Sequence, residues 1–253
     1  MTPWIVTRER GDAEALAQSL RAAGLVARAL PCIERTPLPW PAALAPLPRG
    51  DADTAATGVL CTSPFAAALV IARWPTLAEE ARGAPLWCAA TAPATAQQLE
   101  EAGLPVRVRA PGGVVGVARA LLEQLGDAAR CRVLYPTSDV GEETREHTEA
   151  VDLLAPRAEL VRGAVYATRP AAGLSAALGD LEPNAALLFY SPSAVDAFAS
   201  AAAQAGVSWP SLAVCVGAST GRAFASAAGR EATVAPRGTP IVDFILSLEE
   251  ARP

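Results

Sequence analysis

Short apolar runs alternate along this chain with longer stretches in which apolar positions return at helical spacing. Trp4, Ile5 and Val6 form the first run; Asp12 then stands where it can cap a helix, and Leu16 and Leu20 recur four apart before Gly24. The pattern predicts a strand followed by a helix. Residues 25–33 supply a second strand, and the proline-rich stretch at 36–41 suits neither strand nor helix, so it reads as a linker. The same order of apolar strand, Ser- or Thr-bearing turn, alanine-rich helix and glycine then returns, as where Val59, Leu60 and Cys61 lead into Thr62, Ser63 and Pro64. Strands alternating with helices predict parallel sheets in an α/β fold.

Laying the two halves of the chain over each other shows an internal repeat. Ser63 and Pro64 match Ser191 and Pro192, Thr95 matches Thr220, and Ala110 with Pro111 matches Ala235 with Pro236, in the same order and at nearly constant separation. Residues 4–8 align with 132–136, and Arg35, Thr36 and Pro37 are echoed by Thr168, Arg169 and Pro170. The expected architecture is two similar parallel-sheet, flavodoxin-like lobes with a cleft between them, joined by a two-strand linker. One lobe is discontinuous, 1–36 plus 170–253, and the other runs over 37–168. The competing arrangement is a single large doubly wound sheet, since monotonous βα architecture also generates repeats.

Composition narrows the chemistry. Of 253 residues, 51% are apolar, enough for a large core, yet no apolar run approaches the roughly 18 needed to cross a bilayer, so no membrane span is expected. The first residues lead into a polar, acidic helix pattern instead of a signal peptide, and the expected location is the cytoplasm. Five widely spaced cysteines form no C-x-x-C pair, which predicts buried free thiols and no metal site. A net charge of -5 argues against a nucleic-acid partner. The chain contains no lysine, so a Schiff-base lysine, a pyridoxal phosphate anchor and a P-loop lysine are excluded. His147 is the only histidine and no G-x-S-x-G turn accompanies it, which leaves little room for a multi-histidine zinc site or a serine-hydrolase triad.

In open parallel sheets, ligands bind at the carboxyl ends of strands, where helix N-termini offer unpaired N–H groups. Thr7 with Arg8, Thr62 with Ser63, residues 91–95, residues 136–138, Ser191 with Ser193, and Ser219 with Thr220 are each expected there, after a strand and before or within a helix start. Capping accounts for any one of them. Together they would line a site with hydroxyls and amides suited to carboxylates or phosphates. Gly112, Gly113 and Gly116 do not complete a G-x-G-x-x-G fingerprint and read as a helix-opening turn. Tyr166 lies just before the second linker, where a phenol could reach a ligand, and Arg8 and Arg145 are the arginines placed to meet anionic groups.

These residues resemble the uroporphyrinogen-III synthase family along nearly the whole chain. The landmarks are Val6-Thr7-Arg8, Thr62-Ser63, Val165-Tyr166-Ala167-Thr168, Ser191-Pro192-Ser193 and Val216-Gly217-Ala218-Ser219-Thr220. The resemblance implies a two-lobed, cofactor-independent lyase that closes the small-molecule substrate hydroxymethylbilane into uroporphyrinogen III with inversion of ring D and loss of water, taken as a monomer. It also implies that Tyr166 assists departure of the hydroxyl, and that Ser63, Ser191 and Thr220 hold substrate carboxylates. Two positions depart from the pattern: Ala92 replaces the glycine that Gly217 supplies in the other repeat, and the stretch 142–154 carries His147 where a plainer helix is expected. The alternative is a module of similar shape that grips an anionic metabolite without transforming it, including an inactive synthase-like protein.

Overall fold

The computed structural model describes residues 2–46, 54–125, 130–140, 145–182, 184–236 and 238–251, with backbone alone at 54, 55, 130 and 145. The chain forms two compact units, Met1–Arg35 with Thr168–Pro253, and Thr36–Ala167. Among the described residues no helix is long and apolar enough to cross a membrane.

In the split unit, β1 (Trp4–Val6), β2 (Ala27–Ala29), β9 (Ala186–Phe189), β10 (Leu212–Val216) and β11 (Thr233–Ala235) form one sheet in the order β11-β10-β9-β1-β2, every pair parallel. Parallel strands need crossovers, and these put helices on both faces. On one face α1 (Arg10–Ala22) and α9 (Ile241–Glu250) cover Trp4, Val6, Ala186 and Leu188. On the other, α6 (Leu174–Leu178), α7 (Pro192–Ala205) and α8 (Ala218–Ala228) cover Ile5, Leu187, Phe189 and Cys215. Strands buried on both faces have no polar side to alternate with, which is why they appear in the sequence as continuous apolar runs. Phe198 fills this second face, edge-on to Phe189 at 5.6 Å and tilted against Trp209 at 4.7 Å.

The continuous unit repeats the plan. Its strands β4 (Thr54–Cys61), β5 (Leu86–Ala90), β6 (Val106–Arg109), β7 (Arg130–Ser138) and β8 (Ala158–Pro170) run β8-β7-β4-β5-β6, and β3 (Ile33–Pro37) adds an outer strand beside β8. One face packs on α2 (Pro64–Glu80) and α3 (Pro93–Glu101) through Val59, Cys61, Cys88 and Ala90; the other packs on α4 (Gly113–Gln124) and α5 (Arg145–Leu154) through Leu60, Ala89, Val108 and Val133. The strand orders β2-β1-β9-β10-β11 and β8-β7-β4-β5-β6 are the same once β7 is taken as the start of the second repeat. Two sheets also rule out the single doubly wound sheet.

Several local expectations change. Trp4 pairs with Ala186 as Val133 pairs with Gly58, so β1 corresponds to β7 one position later than the sequence overlay of 4–8 on 132–136. A one-residue slip would exchange the faces of the sheet, and burial decides it: Trp4 and Val133 lie beneath equivalent helix pairs, α1/α9 and α5/α4. Asp12 does not cap α1, which opens after Glu9; it sits in the first turn, where an acid suits the helix dipole, 2.6 Å from Arg8. The single strand expected over 25–33 is two, β2 and β3. The proline-rich linker begins as strand, with Pro37 ending β3 at a sheet edge, where a missing N–H is tolerated. Thr137 and Ser138 belong to β7 itself instead of following it.

Packing is tightest where strands meet aromatic rings. A Cβ on Gly58 would lie 2.5 Å from Trp87 ring atoms, and Trp87 is 3% exposed. Gly58→Ala should therefore destabilise the continuous unit by about 1–3 kcal/mol through overpacking, read as a lowered urea midpoint; an unchanged midpoint would contradict the packing. All five cysteines are buried, and burial pushes the Cys32 and Cys88 thiols up to about 12. The native protein should leave Ellman's reagent unreacted at pH 8 and release five thiols only on unfolding, whereas rapid native labelling would show an open core.

Candidate functional site

The loops that can hold a ligand follow from where neighbouring strands send their chains. In the continuous unit β4 leads into α2 on one face while β7 leads into α5 on the other, so the carboxyl ends of β4 and β7 part and leave a crevice. A cavity of about 250 Å³ lies there. Thr62 follows β4; Tyr135 and Thr137 come from the last part of β7; Arg162 projects from β8, directly across the ladder from Tyr135. Gly113 and Val114 open α4, Glu146 and His147 open α5, and Val140 completes the wall.

The wall is organised by short contacts. His147 stacks on Tyr135 with ring centroids 6.1 Å apart and planes 28° from parallel. Arg162 donates from Nη2 to the Ser138 carbonyl at 3.2 Å, which holds the guanidinium beside the end of β7. The glycines have a packing role: Gly112 and Gly113 take positive φ of 100° and 68°, and a Cβ on Gly116 would fall 2.0 Å from the Pro111 carbonyl oxygen. That accounts for the glycine spacing as a tight helix-opening turn. A second, mostly apolar hollow of about 480 Å³ lies at the ends of β5 and β6, between Thr91-Ala92-Pro93 and Ala110-Pro111. The Arg109–Glu100 ion pair lies among its lining.

The corresponding strand ends of the split unit, those of β1 and β9, carry different residues. The Arg8 guanidinium lies 4.4 Å above the Tyr190 ring and is paired with Asp12. Burial pushes the Tyr190 phenol up to about 12, and the neighbouring Arg8 offsets part of that rise. By the repeat, Tyr190 corresponds to Thr62, and by the β1/β7 register Arg8 corresponds to Thr137.

The remaining candidate residues divide by what their hydroxyls already do. Ser63 and Ser191 cap α2 and α7, accepting from the Ala66 and Ala194 N–H groups at 3.1 and 3.3 Å, and Ser191 also meets the Ser193 hydroxyl at 3.0 Å. Thr7 is fully buried and donates to the Leu188 carbonyl at 2.8 Å. Thr220, also buried, turns its hydroxyl back to the Val216 carbonyl at 3.3 Å, and Ser219 beside it is exposed. Thr95 differs from its repeat partner Thr220: it is fully buried and its Oγ1 meets no hydrogen-bond partner among the described residues. The preceding turn differs too, since Gly217 takes φ of 93° where Ala92 takes -138°. Tyr166, 7% exposed, packs edge-on to Phe65 at 5.0 Å near the end of β8 and lines neither cavity. Arg145 opens α5, and its side chain lies outside the described residues. Of the described candidate site residues, Thr62 and Thr137 line the first of these cavities, and Thr91, Ala92 and Pro93 line the second. Arg162 was missed by sequence reasoning; its signal was a lone charge among the apolar residues of 160–167.

The family model for uroporphyrinogen-III synthase HemD matches residues 14–240. The chain belongs to the uroporphyrinogen-III synthase family. It is thereby placed among the lyases of tetrapyrrole biosynthesis. A search of curated proteins returned no match. Among solved structures, the fold is similar to uroporphyrinogen-III synthetase from Helicobacter pylori, at 16% identity over 99% of this chain and 100% of that one, TM-score 0.62. It is likewise similar to a mutant uroporphyrinogen III synthase from the extremely thermophilic bacterium Thermus thermophilus, at 16% identity over 99% and 98% of the two chains, TM-score 0.60.

The contrast between Thr7 and Thr95 can be measured. Thr7→Val removes a made hydrogen bond and should cost about 1 kcal/mol, while Thr95→Val removes none and should leave the denaturation midpoint unchanged or raise it. A loss at Thr95 equal to that at Thr7 would mean that the Thr95 hydroxyl has a partner after all.

Proposed function

We propose that this chain converts hydroxymethylbilane to uroporphyrinogen III, closing the macrocycle with inversion of ring D and loss of water. The observation that carries this reading is the family match over residues 14–240. In this reading each repeat supplies one lobe, about 1–36 plus 170–253 and 37–168. The substrate bears carboxylate arms, and the groups proposed to hold them are the hydroxyls and helix-opening amides of Thr7, Thr62, Ser63, Thr95, Ser191, Ser193, Ser219 and Thr220, with Arg8 and Arg145 as cations.

The chemistry asks little of acids and bases. A hydroxymethylpyrrole loses its hydroxyl readily to an azafulvene, and the phenol of Tyr166, lodged in an apolar part of β8 against Phe65, is the group proposed to help it leave. The larger demand is conformational. Holding the two ends of a flexible bilane in attack geometry can contribute roughly 7–11 kcal/mol in favourable intramolecular cases. The absence of lysine is consistent with a reaction that needs no Schiff base. The small-molecule substrate is the partner in this reading. The chain acts as a cytoplasmic monomer, and neither nucleic acid nor a membrane takes part.

Incubating the protein with freshly made hydroxymethylbilane and resolving the product isomers tests the reaction: uroporphyrinogen III should form, and isomer I alone at the spontaneous rate would end the reading. Tyr166→Phe should lower kcat more than Ser63→Ala or Thr220→Ala. A tyrosine variant that loses no more than those two would remove its assigned role.

A further inference from the structure

Arg8 and Tyr190 meet at the carboxyl ends of β1 and β9, neighbouring strands whose chains leave for opposite faces of the sheet, β1 into α1 and β9 into α7. The Arg8 guanidinium lies 4.4 Å from the Tyr190 ring centroid, and its Nη2 donates at 2.6 Å to Asp12 in the first turn of α1. Two contacts thus hold one side chain, and they differ in what they consume. The carboxylate takes N–H donors, whereas a ring face attracts the cation and takes none. Burial pushes the Tyr190 phenol up to about 12, so near pH 8 it meets Arg8 as a neutral π-face and not as a phenolate. The Arg8 side chain stays 28% exposed, which leaves a held guanidinium with donors to spare within reach of an anion.

We propose that Tyr190 is a positioning residue: its ring holds the Arg8 guanidinium in one plane and leaves N–H groups of that plane for a carboxylate of the ligand. That this carboxylate is an arm of a tetrapyrrole rests on the synthase reading above. An arginine loses rotamer freedom when it grips a ligand, and a site that has already ordered it binds more tightly. A planar fork is also more selective than a point charge, because parallel N–H···O bonds to a carboxylate form in one orientation alone. Ring and guanidinium go together in this chain: at the two matching positions the other repeat has Thr62 and Thr137, and so neither half of the pair.

Tyr190→Thr removes the ring with a residue that the matching strand end already carries, and Tyr190→Phe keeps the ring. Uroporphyrin I, a stable tetrapyrrole with carboxylate arms, is the binding probe, titrated by calorimetry at pH 8. Tyr190→Thr should bind it about two- to tenfold more weakly than wild type, the affinity equivalent of ordering one long side chain at binding. KM for hydroxymethylbilane should rise by the same factor while kcat stays within about twofold, and Tyr190→Phe should lie within about twofold of wild type throughout. The deciding measurement repeats Tyr190→Thr in an Arg8→Met background, where the ring has nothing to hold and its loss should weaken probe binding no further. An equal loss in both backgrounds makes Tyr190 structural only and overturns the proposal, as does a Tyr190→Phe variant as weak as Tyr190→Thr, or Arg8→Met that binds like wild type. Should Tyr190→Thr fail to fold, Arg8→Lys keeps the charge without the plane: weaker probe binding there supports the proposal, and unchanged binding overturns it. The two readings fail separately. Coupled losses in probe binding with isomer I as the sole product sink the reaction and keep the Tyr190 assignment, whereas isomer III with equal losses in both backgrounds does the reverse.

Discussion

The parallel pairing of a few central strands, β4 with β7 and β1 with β9, is the constraint from which the rest follows. Parallel neighbours cannot be joined by a tight turn, so every connection crosses a face of the sheet and returns as a helix. Where adjacent strands send their crossovers to opposite faces, the backbone parts at the carboxyl end. That end is also where helices begin and where amides lack partners. The same geometry buries the strands on both sides, which leaves Gly58 no room beside Trp87 and keeps five thiols out of reach.

The two units share strand order but have diverged at these strand ends. With Thr62 and Thr137 at the crevice, the continuous unit keeps an open cavity; with Tyr190 and Arg8 at the matching positions, the split unit stacks a guanidinium on a ring there. Small hydroxyl residues leave donors at the first crevice, whereas at the second the guanidinium is already engaged by a ring and by Asp12. The turn before α3 has diverged as well: without the positive φ that Gly217 allows, Ala92 takes extended backbone, and the hydroxyl of Thr95 is left unused where that of Thr220 folds back on Val216.

Much of the fold was legible because its signals are local. Strands covered on both faces appear as continuous apolar runs, and the Ser-Pro pairs at 63–64 and 191–192 mark helix starts in both repeats because a hydroxyl cap followed by proline suits that position. The register between β1 and β7 was misread by one residue, because unbroken apolar strands carry no alternation to fix which side chain faces which helix pair. The cavity was less legible than the fold. Thr62 was in view as a turn residue, whereas Arg162 and Tyr135 lie inside strands and come together only through the pairing of β7 with β8. Ser63 and Ser191 carry one sequence signal for two uses, because the hydroxyl that would meet a ligand is the one that caps the helix.

The division of the chain bears on how it is made. β1 lies between β2 and β9, yet β9 is synthesised only after the whole of Thr36–Ala167. On the ribosome the continuous unit can complete its own sheet first, while the first two strands wait with one edge of β1 unsatisfied. Nascent chains stalled before residue 186 should thus expose a sticky N-terminal strand pair, a vulnerability that closes only when the last third of the polypeptide emerges.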